Sequence, residues 1–409
     1  MKEDWVETTL GESCKFYNGK AHENQIDENG AFIVVNSKFI SSDGLTIKKT
    51  NDALFPLYNN DIVMVMSDVP NGKAIAKCYL IEEDNKYSLN QRICAIRSKK
   101  FNTKFLYYHL NRHPYLLSFD NGENQTNLRK NDILRCPLYI PPLPEQKRIV
   151  AILDEAFEAI ARSIANTEKN LANSREVFES YLNAIFTQKG DGWTEKTLID
   201  VCVFQGGSQP PKSVFSVEKK EGYVRLIQIR DYKSDKYIIH IPKKDARRFC
   251  QPDDIMIGRY GPPLFQILRG LEGAYNVALM KAIPNEEIIS KDFLFYFLKN
   301  NRILNYVINS SSRTAGQTGI NKATIEPYPI AFPTLENQAI IVSQLQELKI
   351  ETQRLEAIYR QKITALKELK QSILQKAFTG ELTADTPKTV KEKIAAWLPL
   401  KPSQNKKVL

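Results

Sequence analysis

Arginine, lysine, asparagine and glutamine gather in short stretches of this chain where regular structure breaks. Those side chains can hydrogen-bond phosphate oxygens and the edges of nucleic-acid bases. In the second half, Arg225, Gln228 and Arg230 lie along residues 223–232, Arg259 and Tyr260 precede Gly261, and Arg313 and Gln317 belong to a glycine-containing stretch. Arg225 and Gln228 share no strict period-two face, so they leave a sheet from opposite sides or from a bend. The first half offers Asn36 with Lys38, Asn71 with Lys73 just after Ser67-Asp68, and Arg92 after Asn90-Gln91. It also offers Gln125 and Arg129 in residues 124–130, the same place that residues 316–322 hold in the second half. For any single one of these residues, plain turn chemistry or a solvated charge at a strand end explains its presence equally well. Recurrence at matching places is the stronger sign.

Catalytic constellations are missing from the sequence. No GxGxxG follows a strand and no Walker phosphate loop is present. Gly261-Pro262-Pro263-Leu264 and Ile140-Pro141-Pro142-Leu143 superficially resemble the Asn/Asp-Pro-Pro-aromatic motif of amino-methyltransferases. Both lack its polar first residue and its aromatic last one. His109 and His113 have helical spacing, yet no Glu at 110 completes a zinc-protease motif, and Pro114 follows, so they read as helix-end residues. Cys14, Cys78, Cys94, Cys136, Cys202 and Cys250 form no close pair suited to zinc or redox work and read as reduced core residues. With four histidines in all, acid–base catalysis is not favoured.

The elements that must position these donors come in two copies. Trp5-Val6-Glu7-Thr8-Thr9-Leu10 returns as Trp193-Thr194-Glu195-Lys196-Thr197-Leu198, and residues 14–19 return as 202–207. Phe105-Leu106-Tyr107-Tyr108-His109-Leu110 returns as Phe293-Leu294-Phe295-Tyr296-Phe297-Leu298. The offset of about 190 residues far exceeds the periods of solenoid repeats, so a whole domain is duplicated. In each copy, β-branched runs bounded by Asn, Asp and Gly predict strands, at residues 32–35 and 61–66 and again at 223–229 and 254–258. Single helices are predicted over 101–112, ended by Pro114, and over 291–301.

Each mixed portion leads into a helical one. Ile341, Leu345, Leu348, Thr352, Leu355, Tyr359, Lys362, Leu366, Leu369, Ile373 and Ala377 step by four and three residues, the seam of a coiled coil. Ile149, Leu153, Ala156, Ile160, Ser163, Thr167, Leu171, Ser174, Phe178, Tyr181 and Ile185 repeat it with more polar members. Neither helix, at about 40 residues, can bury such a seam alone. One helix leads into the second domain and the other leads out of it, so side-by-side packing makes them antiparallel. A net charge of +10 suggests a polyanionic partner, and no run approaches the roughly 18 apolar residues of a membrane span. A soluble, cytoplasmic chain is expected.

Together these residues resemble the specificity subunit of type I restriction-modification systems, over nearly all of residues 1–382. The family-like stretches are residues 5–12, Pro141-Pro142-Leu143-Pro144-Glu145-Gln146, Gly206-Gly207-Ser208-Gln209-Pro210, Asp254-Ile255-Met256-Ile257 and Ala377-Phe378-Thr379-Gly380-Glu381-Leu382. Ile199-Asp200 in place of Gly11-Glu12 departs from the pattern, as does the lack of a glycine near Phe186 to match Gly380.

The resemblance implies an α+β fold in which two mixed target-recognition domains, 1–144 and 191–335, alternate with long antiparallel helices, 145–190 and 336–382. A basic tail, 383–409, follows. It further implies a non-catalytic, sequence-specific DNA-binding subunit, each domain reading half of a bipartite double-stranded target. Its expected partners are two methyltransferase subunits and ATP-dependent restriction subunits. AdoMet and ATP belong on those partners, and no cofactor or metal is expected on this chain. Two rival readings stay open on the residues alone, a DNA-modifying enzyme with a diverged catalytic motif and a coiled-coil scaffold that binds no DNA.

Overall fold

A computed structural model describes residues 4–70, 72–188, 190, 192–311 and 319–384. The chain divides into two compact units, one formed by residues up to Asn166 with those from Lys362 onward, the other by Thr167 to Gln361. Each unit thus holds one mixed domain and a part of both long helices.

In the first unit a four-stranded antiparallel sheet runs in the order Lys15–Asn18, Ile93–Arg97, Ile62–Val65, Cys78–Leu80. Every residue of Ile62–Val65 is buried because the strand is covered on both faces. Its period-two alternation sends Ile62 and Met64 into one cluster with Phe105, Leu106 and Leu153, and Val63 and Val65 into a second with Phe39 and Leu89. Beyond that second cluster lies a three-stranded sheet, Lys49–Thr50, Phe32–Val35, Tyr87–Leu89, whose last pair is parallel. Val6–Thr9 pairs with Pro137–Ile140 and joins the start of the domain to its end.

The second unit repeats the plan. Cys202–Gly206, Leu279–Pro284, Ile255–Gly258 and Gln266–Leu268 form the antiparallel sheet. His240–Pro242, Tyr223–Ile227, Gly273–Tyr275 and Phe249–Cys250 form the mixed one, and Thr194–Thr197 pairs with Pro329–Phe332. The Ile199-Asp200 departure proves conservative. Asp200 accepts from the Thr197 amide at 2.8 Å, as Glu12 accepts from the Thr9 amide at 3.0 Å, so both domains open on the same capped turn.

Helix ends differ from the sequence expectation in both copies. The helix predicted over 101–112 spans Thr103–Leu110, capped by the Asn102 side chain, which accepts from the Phe105 amide at 3.1 Å. Pro114 does not merely end it; it opens the next helix, Pro114–Leu117, where a missing N–H costs nothing. The helix predicted over 291–301 stops at Leu298. A second one, Asn301–Ser311, starts because the Asn300 side-chain oxygen accepts from the Arg302 and Ile303 amides at 2.9 and 3.2 Å.

The long helices are Leu143–Thr187 and Leu335–Phe378. In the second unit they run antiparallel: Arg175 pairs with Glu356 at 3.1 Å and the Tyr181 hydroxyl donates to Gln344 at 3.1 Å. In the first unit Lys370 lies over Phe157 at 4.7 Å and the Thr383 hydroxyl donates to Glu145, again in opposite order along the two helices. Thr383 is buried in a turn over Glu381–Thr383, so packed structure continues past residue 382, where the tail was expected to begin. Residues 385–409 lie outside the described residues.

Ile149, Leu153, Ala156 and Ile160 are buried as the seam requires, as are Leu345, Leu366, Ile373 and Ala377, with Thr167, Ser174 and Thr352 as polar members. The seam drifts at 181, where Tyr181 is exposed and Leu182 is buried instead. A helix of 3.6 residues per turn rotates away from a 3.5-residue repeat, and here the adjoining core of Phe293 and Leu298 takes up Leu182. Lys362 is exposed, and Leu355 is 39% exposed.

Candidate nucleic-acid interface

In the first domain a chain of backbone hydrogen bonds ties the donor-bearing segments into one rim. The Asn90 amide donates to the Val35 carbonyl at 3.1 Å, the Met66 amide to the Arg92 carbonyl at 3.0 Å, and the Leu128 amide to the Met66 carbonyl at 2.7 Å. These bonds bring together the residues after Phe32–Val35, those before Ile93–Arg97, those after Ile62–Val65, and the late loop. Gly19 closes the rim from below. A Cβ there would stand 2.0 Å from the Asn90 carbonyl oxygen, so only glycine permits the approach.

The second domain makes the same frame. The Asn276 amide donates to the Ile227 carbonyl at 3.1 Å, the Arg259 amide to the Ala278 carbonyl at 2.9 Å, and the Ile320 amide to the Arg259 carbonyl at 3.0 Å. A Cβ on Gly207 would stand 1.9 Å from the Asn276 carbonyl oxygen. Side chains on the two frames differ: Asn36, Gln91 and Arg129 stand where the second domain has Gln228, Val277 and Asn321.

Within the first rim, Lys38, Lys73, Arg92, Gln125 and Arg129 are all exposed. Gln125 donates to the Ser67 hydroxyl at 3.0 Å, and Ser67 donates to Asn127 at 2.6 Å. Asp68 accepts from the amides of Val69, Ala74 and Ile75 at 2.9, 2.6 and 3.1 Å, which fixes both ends of the loop that carries Lys73. Asn36 also acts locally, since its side-chain oxygen caps Ser37–Ser41 by accepting from the Phe39 amide at 2.9 Å. Asn71 lies outside the described residues.

In the second rim the arginines divide. Arg225 is drawn into the fold: it pairs with Asp235 at 2.9 Å and lies 3.8 Å from Asp231, whose side chain is fully buried. Burial pushes the Asp231 carboxyl above its usual range, opposed by the Gln228 amide and by Arg225 and Arg230. Arg230 is half exposed and lies over the Tyr237 ring at 5.3 Å. Gln228 precedes this turn, its amide donating to Asp231 at 3.1 Å. Arg259 donates to the carbonyls of Ile320 and Val277 at 2.8 and 3.0 Å, holding the late loop against the rim. Tyr260 is partly exposed and faces Gly319, where a Cβ would meet its ring at 2.4 Å. Arg313 and Gln317 lie outside the described residues.

Two features escaped the sequence reading. Asn276, the pivot of the second rim, matches Asn90 once the copies are aligned. Tyr237, the platform under Arg230, had no local signal. Among the described residues no group of His, Cys, Asp and Glu is arranged to hold a metal ion. His109 is buried and stacks on Phe378 with ring centroids 4.4 Å apart; burial, aided by His113, pushes its pKa down to about 3. Burial pushes the thiols of Cys136 and Cys202 up to about 12.

The family model for the type I restriction modification DNA specificity domain matches this chain twice, over residues 2–171 and 190–365. A curated relative, the type I restriction enzyme StySPI specificity subunit of Salmonella potsdam, is 24% identical over 71% of this chain and 68% of its own. The EcoDI specificity subunit of Escherichia coli is 22% identical over 93% of this chain and 89% of its own. A chain from a solved type I R-M system superposes with a TM-score of 0.75 at 20% identity, over 93% of this chain and 99% of that one. The HsdS subunit from Thermoanaerobacter tengcongensis gives 0.59 at 20% identity, over 93% and 98%. These structural likenesses show a shared fold.

Proposed function

The chain belongs to the family of type I restriction-modification DNA specificity domains, and from that premise we propose that each mixed domain reads one half of a bipartite duplex target through its rim. Chains of this family are non-catalytic specificity subunits, with the methyltransferase activity on partner subunits. The observation that carries the proposal is the frame built twice from the same backbone bonds and furnished with different side chains. A constant scaffold with variable donors suits a protein that reads two different half-sites by one docking geometry.

Exposed lysines and arginines on each rim contact phosphates and supply most of the salt-dependent affinity, while amide and guanidinium groups reach base edges in the major groove. Two methyltransferase subunits dock on the outer faces of the long helices, where Val177, Ile340, Ile350 and Ile358 are about half exposed or more. AdoMet stays on those partners, and ATP on restriction subunits that complete the assembly. No helix among the described residues is long and apolar enough to cross a membrane. The cytoplasm, where the target DNA lies, is the proposed site of action.

The test is methylome sequencing of a host with and without the gene, its partner genes present in both. A bipartite methylated motif that appears only with the gene supports the reading; an unchanged methylome overturns it. The purified chain incubated with AdoMet and target DNA should transfer no methyl group.

A further inference from the structure

In the second unit a strap of chain, residues 243–248, crosses the mixed sheet and is pinned at both ends by backbone bonds. At its start the Lys243 amide donates to the Gly222 carbonyl at 2.9 Å, and at its end the Arg248 carbonyl accepts from the Tyr275 amide at 3.0 Å. Ala246 packs against Leu226, Ile241 and Ala274, which holds the strap to one face of the sheet. Lys243, Lys244, Arg247 and Arg248 are all exposed. The strap ends at the rim, because Asn276, the rim's pivot, is the residue after Tyr275.

The internal repeat carries the same strap with different side chains. In the first unit the Phe55 carbonyl accepts from the Leu89 amide at 2.9 Å, and Asn90 is the residue after Leu89. That shared bond makes Phe55 the counterpart of Arg248 and Leu54 that of Arg247, with Asp52-Ala53 matching Asp245-Ala246. Residues 51–55 contain no lysine or arginine. Leu54 and Phe55 are partly buried, and Phe55 packs against the cluster of Val35, Phe39 and Leu57. One backbone path thus bears an apolar pair in the first copy and two solvent-facing arginines in the second.

So dense a charge needs a counterpart. The strap's four cations, with Asp245 as the one carboxylate among them, repel one another. Arg225 and Arg269 of the same unit are held by Asp235 and Asp292, whereas among the described residues no carboxylate forms an ion pair with any of these four. A row of phosphates is the polyanion that suits a cationic strap at the edge of a base-reading rim.

Resting on the half-site reading above, we propose that Lys243, Lys244, Arg247 and Arg248 grip the phosphate backbone of duplex DNA beside the half-site read by the second domain. The first domain has no such grip at the matching place.

The test measures affinity of the full chain for duplex DNA across a salt series, wild type against Arg247→Gln with Arg248→Gln. Glutamine keeps the backbone bond to Tyr275 and removes the charge, so thermal melts should coincide. The slope of log affinity against log salt should fall by about 0.9 for each of the two phosphates lost, so between about 50 and 200 mM salt the wild type should lose roughly tenfold more affinity than the variant. Sites selected from a random pool should keep the same bases in both halves. Arg247→Gln alone, expected to remove about half of the slope change, serves if the pair does not fold. An unchanged slope in a folded variant overturns the proposal, and so does an altered base preference, which would make these arginines base readers. A wild type that binds duplex without sequence preference loses the half-site reading, while the slope comparison on that same duplex still decides the strap. A wild type that binds no duplex overturns both.

Discussion

Arg230 and Arg259 look alike in the sequence, but their partners assign them opposite work. Arg259 spends its guanidinium on two carbonyls of its own rim. Arg259→Ala should therefore cost about 2 kcal/mol of stability in the second unit, seen as a lower melting temperature, and Arg259→Lys should not restore it because an ammonium lacks the fork geometry. Arg230 is half exposed on its tyrosine platform. Arg230→Ala should lower the melting temperature less than Arg259→Ala does, since Arg225 still faces the buried Asp231, and should relax one base position in one half-site by roughly 1 to 3 kcal/mol, read by selecting sites from a random pool. Equal weakening of both half-sites would make it a phosphate contact instead. The histidine pair supplies a pH prediction. Burial lowers His109 to about 3 and His113 to about 4 from an ordinary 6.5, so an unfolded chain takes up these protons first as pH falls. The stability that this pair contributes is full above about pH 6.5 and is lost progressively from there down to about pH 4 for His113 and about pH 3 for His109. His109→Phe, which copies Phe297 of the second domain, should flatten that decline in thermal melts; an unchanged slope would show that His109 does not contribute to it.

Each long helix is fixed to its domain at its first turn by one buried glutamine. Gln146 accepts from the Asn102 amide at 2.7 Å and donates to the Pro141 carbonyl at 2.8 Å, and Gln338 accepts from the Ser290 amide at 2.8 Å and donates to the carbonyls of Ile288 and Pro333, both at 2.9 Å. Gln146→Leu keeps the bulk but strands a buried N–H and C=O, so it should cost about 2 to 4 kcal/mol in chemical denaturation. Glu at this position keeps only the acceptor and should fall between. Both glutamines sit in the repeated Pro-x-Leu-x-x-Gln stretch, so their recurrence was legible in the sequence while their role was not. The same division runs through the whole fold. Strands at 32–35 and 255–258 and the helical seam follow from local period. The rim does not, because its bonds join Val35 to Asn90 and Met66 to Leu128 across long stretches of chain. Helix ends escape a reading by period where an asparagine side chain, Asn300, starts a new helix at the end of an apolar run.

At the scale of the whole molecule, the seam and the duplication combine into one mechanical expectation, that the paired helices set the gap between half-sites. Their polar members, Thr167, Ser174 and Thr352, are buried near the middle of each helix, where packing is least apolar. Inserting one heptad after Leu171 and one after Ile363, positions related by the repeat, keeps the apolar stripe in register. Seven residues at 1.5 Å each lengthen the helical pair by about 10 Å, which at about 3.4 Å per base pair equals some three base pairs. The preferred gap in a selected-site experiment should grow by that amount while the two half-site sequences stay the same. Three base pairs also turn the duplex by roughly a third of its repeat, so affinity for the new optimum should fall below that of the parent as the second rim meets a rotated groove. An unchanged gap at full affinity would show that the helices do not measure the distance, and would leave the rims as readers of half-sites whose spacing is set by the subunits docked around them.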